Sequence, residues 1–130
     1  MPTGPENVFV GNGGQGALFA ALMAATDPGD RVAIVDPYYT TYPPTLRAVG
    51  CEQVVVAADP ADGFQINGAA LRDAVEGAAA LLINTPNNPT GAVYSAATLD
   101  AIRRAALDFG LWVISDEVYD TQVHEGAHVS

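Results

Sequence analysis

Short apolar runs alternate along this chain with alanine-rich stretches. The runs cover residues 8–10, 32–35, 53–57, 80–83 and 112–114. Each is short and almost wholly apolar, without the alternation of a half-exposed strand, which is typical of strands covered on both faces. The pattern therefore predicts a mostly parallel sheet built from these five runs.

Helices are predicted between the strands. Helical composition covers residues 16–25, a stretch around 45–49, residues 68–76 and residues 95–109. The first of these stops at the turn sequence Asp27-Pro28-Gly29-Asp30, and Asn67 stands where the third needs an N-cap. Strands and helices in alternation predict an α/β fold of three layers, with helices on both faces of the sheet.

Composition narrows the class of protein. With 130 residues, 49% of them hydrophobic and 15% charged, the chain resembles one globular domain. The longest apolar run, residues 17–25, is too short to span a bilayer, and no basic segment typical of a signal peptide opens the chain. We therefore expect no membrane partner. A cytoplasmic location is expected as well, since a single Cys51 suits a reducing compartment.

The charge is strongly negative. Fifteen acidic residues against five basic ones give a net charge of −10, and the acids are scattered, which argues against nucleic-acid binding. All five basic residues are arginines, so the chain contains no lysine. One isolated cysteine gives no metal-ligand spacing, and no metal site is predicted.

A glycine-rich loop follows the first apolar run. Gly11-Asn12-Gly13-Gly14-Gln15-Gly16 matches G-x-G-x-x-G, and Asp36 follows about twenty residues later, as in dinucleotide-binding enzymes. Glycines let the backbone approach a phosphate, and free N–H groups at a helix start attract the anion. Such a loop could bind the phosphate of any cofactor. A tight turn that binds no ligand would also need these glycines. The loop therefore leaves the cofactor open.

Aromatic side chains follow the predicted strand at residues 32–35, and amide side chains follow the predicted strand at residues 80–83. The segment 36–44 contains three tyrosines, which offer a flat face to a planar ring or pack their loop onto the core. The segment 84–91 reads Asn-Thr-Pro-Asn-Asn-Pro-Thr-Gly. Its prolines and glycine fix a turn, which alone is an ordinary loop, but an asparagine held there presents a rigid amide donor.

A carboxylate and a phenol follow the last strand. In Ser115-Asp116-Glu117-Val118-Tyr119, the aspartate could pair with a protonated ring nitrogen, or it could cap the next turn. Ligands of open α/β sheets bind at the carboxyl ends of strands, where all four segments are expected. Together they offer groups for a phosphate, a ring face, a phenolic oxygen and a ring nitrogen. Those are the features by which pyridoxal phosphate is recognised.

In this order the motifs resemble those of class I/II aminotransferases, which are fold-type I pyridoxal-phosphate-dependent enzymes. The resemblance covers residues 6–130. It is carried by Gly-Gly-Gln-Gly-Ala at 13–17, Asp-Pro-Gly-Asp at 27–30, Pro-Tyr-Tyr at 37–39, Asn-Asn-Pro-Thr-Gly at 87–91 and Asp-Glu-Val-Tyr at 116–119.

The resemblance implies that seven residues bind pyridoxal 5'-phosphate: Gly13, Gly14, Gln15, Tyr39, Asn88, Asp116 and Tyr119. The three loop residues would bind the phosphate through their backbone, and Tyr39 would stack on the pyridine ring. Asn88 and Tyr119 would bond the phenolic oxygen, while Asp116 would keep the ring nitrogen protonated. An aromatic residue at Tyr39 favours amino group transfer between an amino acid and a 2-oxo acid. Carbon–sulfur lyases of the same fold stay open.

The resemblance also implies what residues 1–130 lack. They correspond to part of the large cofactor-binding domain, without the amino-terminal arm or the carboxy-terminal small domain. The family's Schiff-base lysine lies beyond the Asp-x-x-Tyr strand. With no lysine here we expect no catalytic residue, and no turnover by this chain alone. His124 and His128 are expected in an exposed loop without a catalytic role. A longer enzyme of this family would be a homodimer.

Two other functions stay open on the residues. The glycine fingerprint also suits an NAD(P)-dependent Rossmann oxidoreductase domain. A non-enzymatic alternative is the aminotransferase-like effector domain of a transcription regulator.

Overall fold

The computed structural model describes residues 3–130, which form five strands and four α-helices. In chain order these are α1 (Gly13–Ala25), β1 (Arg31–Asp36), α2 (Tyr42–Ala48), β2 (Glu52–Asp59), β3 (Gln65–Ile66), α3 (Gly68–Val75), β4 (Ala80–Asn84), α4 (Ala96–Phe109) and β5 (Trp112–Asp116). Short 3-10 turns cover Pro5–Asn7 and Pro60–Asp62. Among residues 3–130, none of the helices is both long and apolar enough to cross a membrane.

The strands form one sheet in the order β3-β2-β1-β4-β5. Strand β1 pairs in parallel with β2 and β4, and β4 pairs in parallel with β5. The two-residue strand β3 runs antiparallel to β2 at the edge. The prediction of a mostly parallel sheet is confirmed. The sequence did not predict β3, because a strand of two residues is too short to produce a recognisable apolar pattern.

Helices cover both faces of the central strand β1, whose buried residues alternate between two separate core clusters. Val32 and Ile34 pack with leucines of α1 and α2, including Leu22. Ala33 and Val35 pack with residues of α3 and α4, including Leu71. The predicted three-layer arrangement of helix, sheet and helix is therefore confirmed.

The helix ends follow their local sequence. The Asn67 side chain accepts hydrogen bonds from the backbone N–H groups of Ala69 and Ala70 at 2.9 and 3.2 Å, as its N-cap position predicts. Ser95 caps α4 in the same way. At the other end of α4, Gly110 adopts φ +69°, a left-handed conformation that glycine accepts without strain.

The predicted strand at residues 8–10 is wrong. These residues have no regular structure, and Val8, Phe9 and Val10 are 67%, 70% and 87% exposed. An apolar run becomes a strand only where a neighbouring strand pairs with its backbone, and within residues 3–130 none does so here. The first helix also begins three residues earlier than predicted, so that Gly13 and Gly14 belong to its first turn.

Candidate functional site

A cavity of about 290 Å³ lies where the carboxyl ends of β4 and β5 meet the start of α1. Its walls are formed by Gly14, Gln15, Leu18, Tyr39, Thr41, Tyr42, Asn84, Asn88, Asp116, Val118 and Tyr119. Six of the seven predicted cofactor-binding residues are in this set, and the seventh, Gly13, directly precedes Gly14 in the chain. The volume is close to the lower end of the range for ligand pockets, about 300 Å³.

The glycine loop brings the start of α1 to the cavity. A Cβ atom placed on Gly11 would lie 2.9 Å from the backbone nitrogen of Ala17, so only glycine lets the loop pass this close to the helix. Gly13 has φ +72°, which also favours glycine. A Cβ atom on Gly14 would meet no atom within 4 Å. The first turn of α1 is therefore open at the cavity wall.

The side chain of Gln15 is held by two hydrogen bonds to threonine hydroxyl groups. Its amide nitrogen donates to the Thr45 hydroxyl at 2.5 Å, and its oxygen accepts from the Thr41 hydroxyl at 2.8 Å. These bonds join α1 to α2. They leave the backbone of Gln15 as the part of the residue that suits an anion, in line with its predicted role.

The three tyrosines of the second segment have different environments. Tyr39 and Tyr42 both line the cavity, but Tyr39 is 39% exposed, whereas Tyr42 is buried in the core. Their rings meet edge to face, with centroids 5.9 Å apart and planes at 85°. Tyr38 packs against the same core cluster and does not line the cavity. The tyrosines thus do both things that the sequence suggested: one offers a partly exposed aromatic ring to the cavity, and the others pack against the core.

The carboxylate of Asp116 accepts two hydrogen bonds. The Tyr42 hydroxyl donates to Oδ2 at 2.7 Å, and the backbone N–H of Val118 donates to Oδ1 at 3.2 Å. Burial, followed by the hydrogen bond to Asp116, raises the pKa of Tyr42 far above its usual value. The phenol is therefore a permanent donor at neutral pH. Through the bond from Val118, Asp116 also caps the turn that follows β5. The capping role and a contact with a ligand are therefore compatible.

An asparagine pair and a phenol form another wall. Asn84 accepts from the backbone N–H of Asn88 at 2.7 Å and donates to the backbone carbonyl of Asp116 at 2.9 Å. The side-chain amide of Asn88 donates to the Tyr119 hydroxyl at 3.3 Å. The two groups that were predicted to bind one ligand oxygen are thus neighbours.

Asn84 and Tyr42, whose side chains both contact Asp116, were not predicted from the sequence as site residues. Asn84 belongs to a motif that was recognised, but nothing local distinguishes it from the other asparagines there. Tyr42 belongs to the tyrosine cluster, yet its contact with Asp116 joins residues 74 positions apart. Such a pairing exists only once the sheet has formed.

The expectation that both histidines lie in an exposed loop is wrong for His128. Its side chain is 9% exposed, and its Nε2 lies 3.0 Å from Glu117 Oε2. Ser115 and Ser130 donate to the other oxygen of Glu117. Burial acts to raise the pKa of Glu117, but these hydrogen bonds outweigh it and hold the pKa below its usual value. His124 is exposed as expected.

The geometry does not favour a dinucleotide site. The fingerprint requires a strand directly before the glycine loop, and in the described residues α1 is preceded by irregular chain. Asp36, the acid that would bind the ribose, is exposed and does not line the cavity.

Known proteins similar to this chain are aminotransferases. Residues 1–130 match the family model described as aminotransferase class I and II. The chain is 40% identical over 127 residues to the aspartate/prephenate aminotransferase of Thermus thermophilus, covering 97% of this chain and 33% of the relative. It is 42% identical over 123 residues to the aspartate aminotransferase of Streptomyces avermitilis, covering 94% and 30%.

A solved structure has the same fold. The N-succinyldiaminopimelate aminotransferase of Mycobacterium tuberculosis superposes with a TM-score of 0.87 at 39% identity, covering 92% of this chain and 32% of that one. The chain thus spans about a third of the length of the relatives it matches. Neither the family match nor these relatives favours the oxidoreductase or the regulator interpretation.

Proposed function

Because the chain belongs to the class I and II aminotransferase family, we propose that it forms part of the cofactor site of an aminotransferase. The cofactor of this family is pyridoxal 5'-phosphate. The reaction of the whole enzyme would transfer an amino group between an amino acid and a 2-oxo acid. The observation that carries the proposal is the convergence of six predicted residues from four separate segments on one cavity.

The groups present at the cavity fit the cofactor in kind. The open first turn of α1 offers backbone N–H groups to a phosphate, and Gly14 adds no side chain to obstruct it. A partly exposed aromatic ring at Tyr39 suits a flat heterocycle. Asn88 and Tyr119 place an amide and a phenol side by side for a phenolic oxygen. The carboxylate of Asp116 suits a protonated ring nitrogen.

Pyridoxal phosphate supplies, when bound, an electron sink for the carbon that loses a proton. The residues of this chain would bind and orient the ring. Asp116 would hold a proton at the ring nitrogen, and Asn88 and Tyr119 would hold the phenolic oxygen. The backbone of Gly13, Gly14 and Gln15 would hold the phosphate.

We propose further that these 130 residues bind the cofactor without turning over. They contain no lysine, and the family's Schiff-base lysine would come from chain outside them, as would the small domain. We also propose that the whole enzyme is a homodimer and that it is located in the cytoplasm. The relatives described above are aminotransferases, which supports transamination rather than carbon–sulfur bond cleavage.

Binding of pyridoxamine 5'-phosphate, the amine form of the cofactor, tests the proposal. This probe lacks an aldehyde and cannot condense with the amino terminus of the chain. We expect a saturable fluorescence change with the probe, weaker binding of pyridoxamine without its phosphate, and no binding of NADH. Equal binding of the probe with and without phosphate, or preferential binding of NADH, would contradict the proposal.

A pair of variants assigns the binding to the cavity. Asp116→Asn removes the charge facing the ring nitrogen and should weaken binding by about tenfold or more, the range for a charged hydrogen bond. Asp120→Asn makes the same change on an exposed residue four positions further along the chain, and should bind like the unaltered protein. Turnover assays with amino acid and 2-oxo acid should stay at the level of the free cofactor.

A further inference from the structure

We propose that Tyr42 is a positioning residue for Asp116, holding its carboxylate in the orientation that meets the ring nitrogen of the cofactor. The inference rests on the proposed function and extends it to a residue of the cavity wall that was not among the predicted cofactor-binding residues. It concerns a contact between the start of α2 and the end of β5.

The contact has the geometry of a strong hydrogen bond. The hydroxyl oxygen of Tyr42 lies 2.7 Å from Oδ2 of Asp116, in the range for an O–H donor on a carboxylate. Oδ1 accepts separately from the backbone N–H of Val118 at 3.2 Å. With one donor on each oxygen, rotation of the carboxylate would break at least one bond.

The phenol ring itself cannot easily move. Tyr42 is only 2% exposed, and its ring belongs to the core cluster that includes Leu22, Ile34 and Leu46. The same ring supports Tyr39 through the edge-to-face contact described above. A fixed core residue therefore carries both the aromatic wall and the carboxylate of the cavity.

The protonation of the phenol makes the contact directional. Burial, and then the neighbouring Asp116, raise the pKa of Tyr42 far above neutrality. The hydroxyl therefore stays protonated and donates its hydrogen bond to the carboxylate. A hydrogen bond donated to the ionised form of a carboxylate favours that form, which is the form a protonated ring nitrogen requires.

Tyr42→Phe tests the inference because it removes only the hydroxyl. The probe is pyridoxamine 5'-phosphate labelled with ¹⁵N at the ring nitrogen, whose chemical shift reports protonation of that nitrogen. We expect Tyr42→Phe to move the bound shift towards the unprotonated value. It should weaken binding by about threefold to tenfold, less than the loss of the Asp116 charge itself, because the phenol acts on the probe through Asp116. Folding is checked by circular dichroism.

Tyr38→Phe is the matched control. Tyr38 also packs against the core cluster, but its hydroxyl accepts from Gln53 at 3.4 Å and does not contact Asp116. Tyr38→Phe should leave the ¹⁵N shift and the affinity unchanged. If Tyr42→Phe keeps the shift and affinity of the unaltered chain, the inference is overturned while the proposed function stands. If the unaltered chain fails to bind the probe, the proposed function fails.

A measurement without the cofactor tests the contact directly. A buried hydroxyl that donates to a carboxylate should give a slowly exchanging, downfield proton resonance for Tyr42 in the unaltered chain. Asp116→Asn should shift this resonance upfield, because a neutral amide oxygen is a weaker acceptor. An unchanged resonance would overturn the inference, even if Tyr42→Phe could not be obtained as a folded protein.

A double-mutant cycle separates positioning from a general structural effect. If Tyr42 acts through Asp116, Tyr42→Phe should change the affinity for the probe little once Asn stands at position 116. Additive losses in the double variant would contradict the inference.

Discussion

The side-chain amide of Asn84 donates to the backbone carbonyl of Asp116 at 2.9 Å, which joins the last residues of β4 and β5 by a side chain as well as by strand pairing. The oxygen of the same amide accepts from the backbone N–H of Asn88 at 2.7 Å. One buried asparagine therefore sets the positions of two residues of the cavity wall.

Asn84→Ala should weaken both the fold and the binding of pyridoxamine 5'-phosphate. The Asp116 carbonyl keeps a second donor, the N–H of Thr85, but the N–H of Asn88 loses its partner. We expect a loss of about 2 kcal/mol in the free energy of unfolding, measured in urea. Asn12→Ala is the control, because Asn12 is exposed and makes no capping bond to α1. An Asn84→Ala variant as stable as Asn12→Ala would contradict the role of Asn84.

Gly14→Ala should leave the fold intact and reduce the affinity for the cofactor. A Cβ atom at Gly14 meets nothing within 4 Å, so the chain accepts it, but it adds bulk in the wall of the cavity beside the open turn of α1. Gly16→Ala is the matched control, since its Cβ atom would make only an ordinary contact with Asn12 at 3.6 Å and Gly16 does not line the cavity. Titration with the probe should show weaker binding for Gly14→Ala alone.

Leu71→Ala should destabilise the chain strongly. Leu71 in α3 is fully buried between the helices and the sheet, and replacing such a leucine costs about 2–5 kcal/mol. Leu107→Ala in α4 is the control, because Leu107 is 71% exposed and its change should cost less than about 0.5 kcal/mol. Similar losses for the two variants, measured by urea unfolding, would contradict the packing of α3.

Acidification should remove stability through Glu117. The pKa of this carboxyl is lowered in the folded chain, whereas in the unfolded chain it is about 4.3. The unfolded state therefore takes up the proton first. The contribution of Glu117 to stability is complete above the unfolded pKa and is lost as the pH falls through the folded pKa.

Unfolding in urea at neutral pH and at about pH 3 measures this contribution. The unaltered chain should lose more stability between the two conditions than Glu117→Gln, whose amide does not titrate. Glu125→Gln, at an exposed carboxylate, should lose as much as the unaltered chain. The prediction fails if Glu117→Gln loses as much as well.

Most of the fold could be predicted because its signals are local. The strands β1, β2, β4 and β5 are apolar runs, and Asn67 caps α3 where the sequence places it. Residues 8–10 carry the same apolar signal and form no strand. Hydrophobicity shows what a segment can bury, whereas pairing depends on a neighbouring strand elsewhere in the chain.

In the candidate site as well, residues within local motifs could be predicted, whereas residues that act through contacts between distant elements could not. Motifs at strand ends identified Tyr39, Asn88, Asp116 and Tyr119, because parallel strands end at one edge of the sheet. The supports behind these residues, Tyr42 and Asn84, act across the sheet, and His128 reaches Glu117 from a segment with no regular structure. Their contacts depend on the relative placement of elements, which no local pattern encodes.

The residue-by-residue pairing of β4 with β5 runs from Ala80 opposite Trp112 to Asn84 opposite Asp116. Successive side chains of a strand point to opposite faces, so a slip of one residue would turn Asp116 away from Tyr42 and bring Ser115 or Glu117 to its place. A single-residue insertion early in β5 would thus act on the cavity as a point substitution of Asp116, with every original side chain still in the chain.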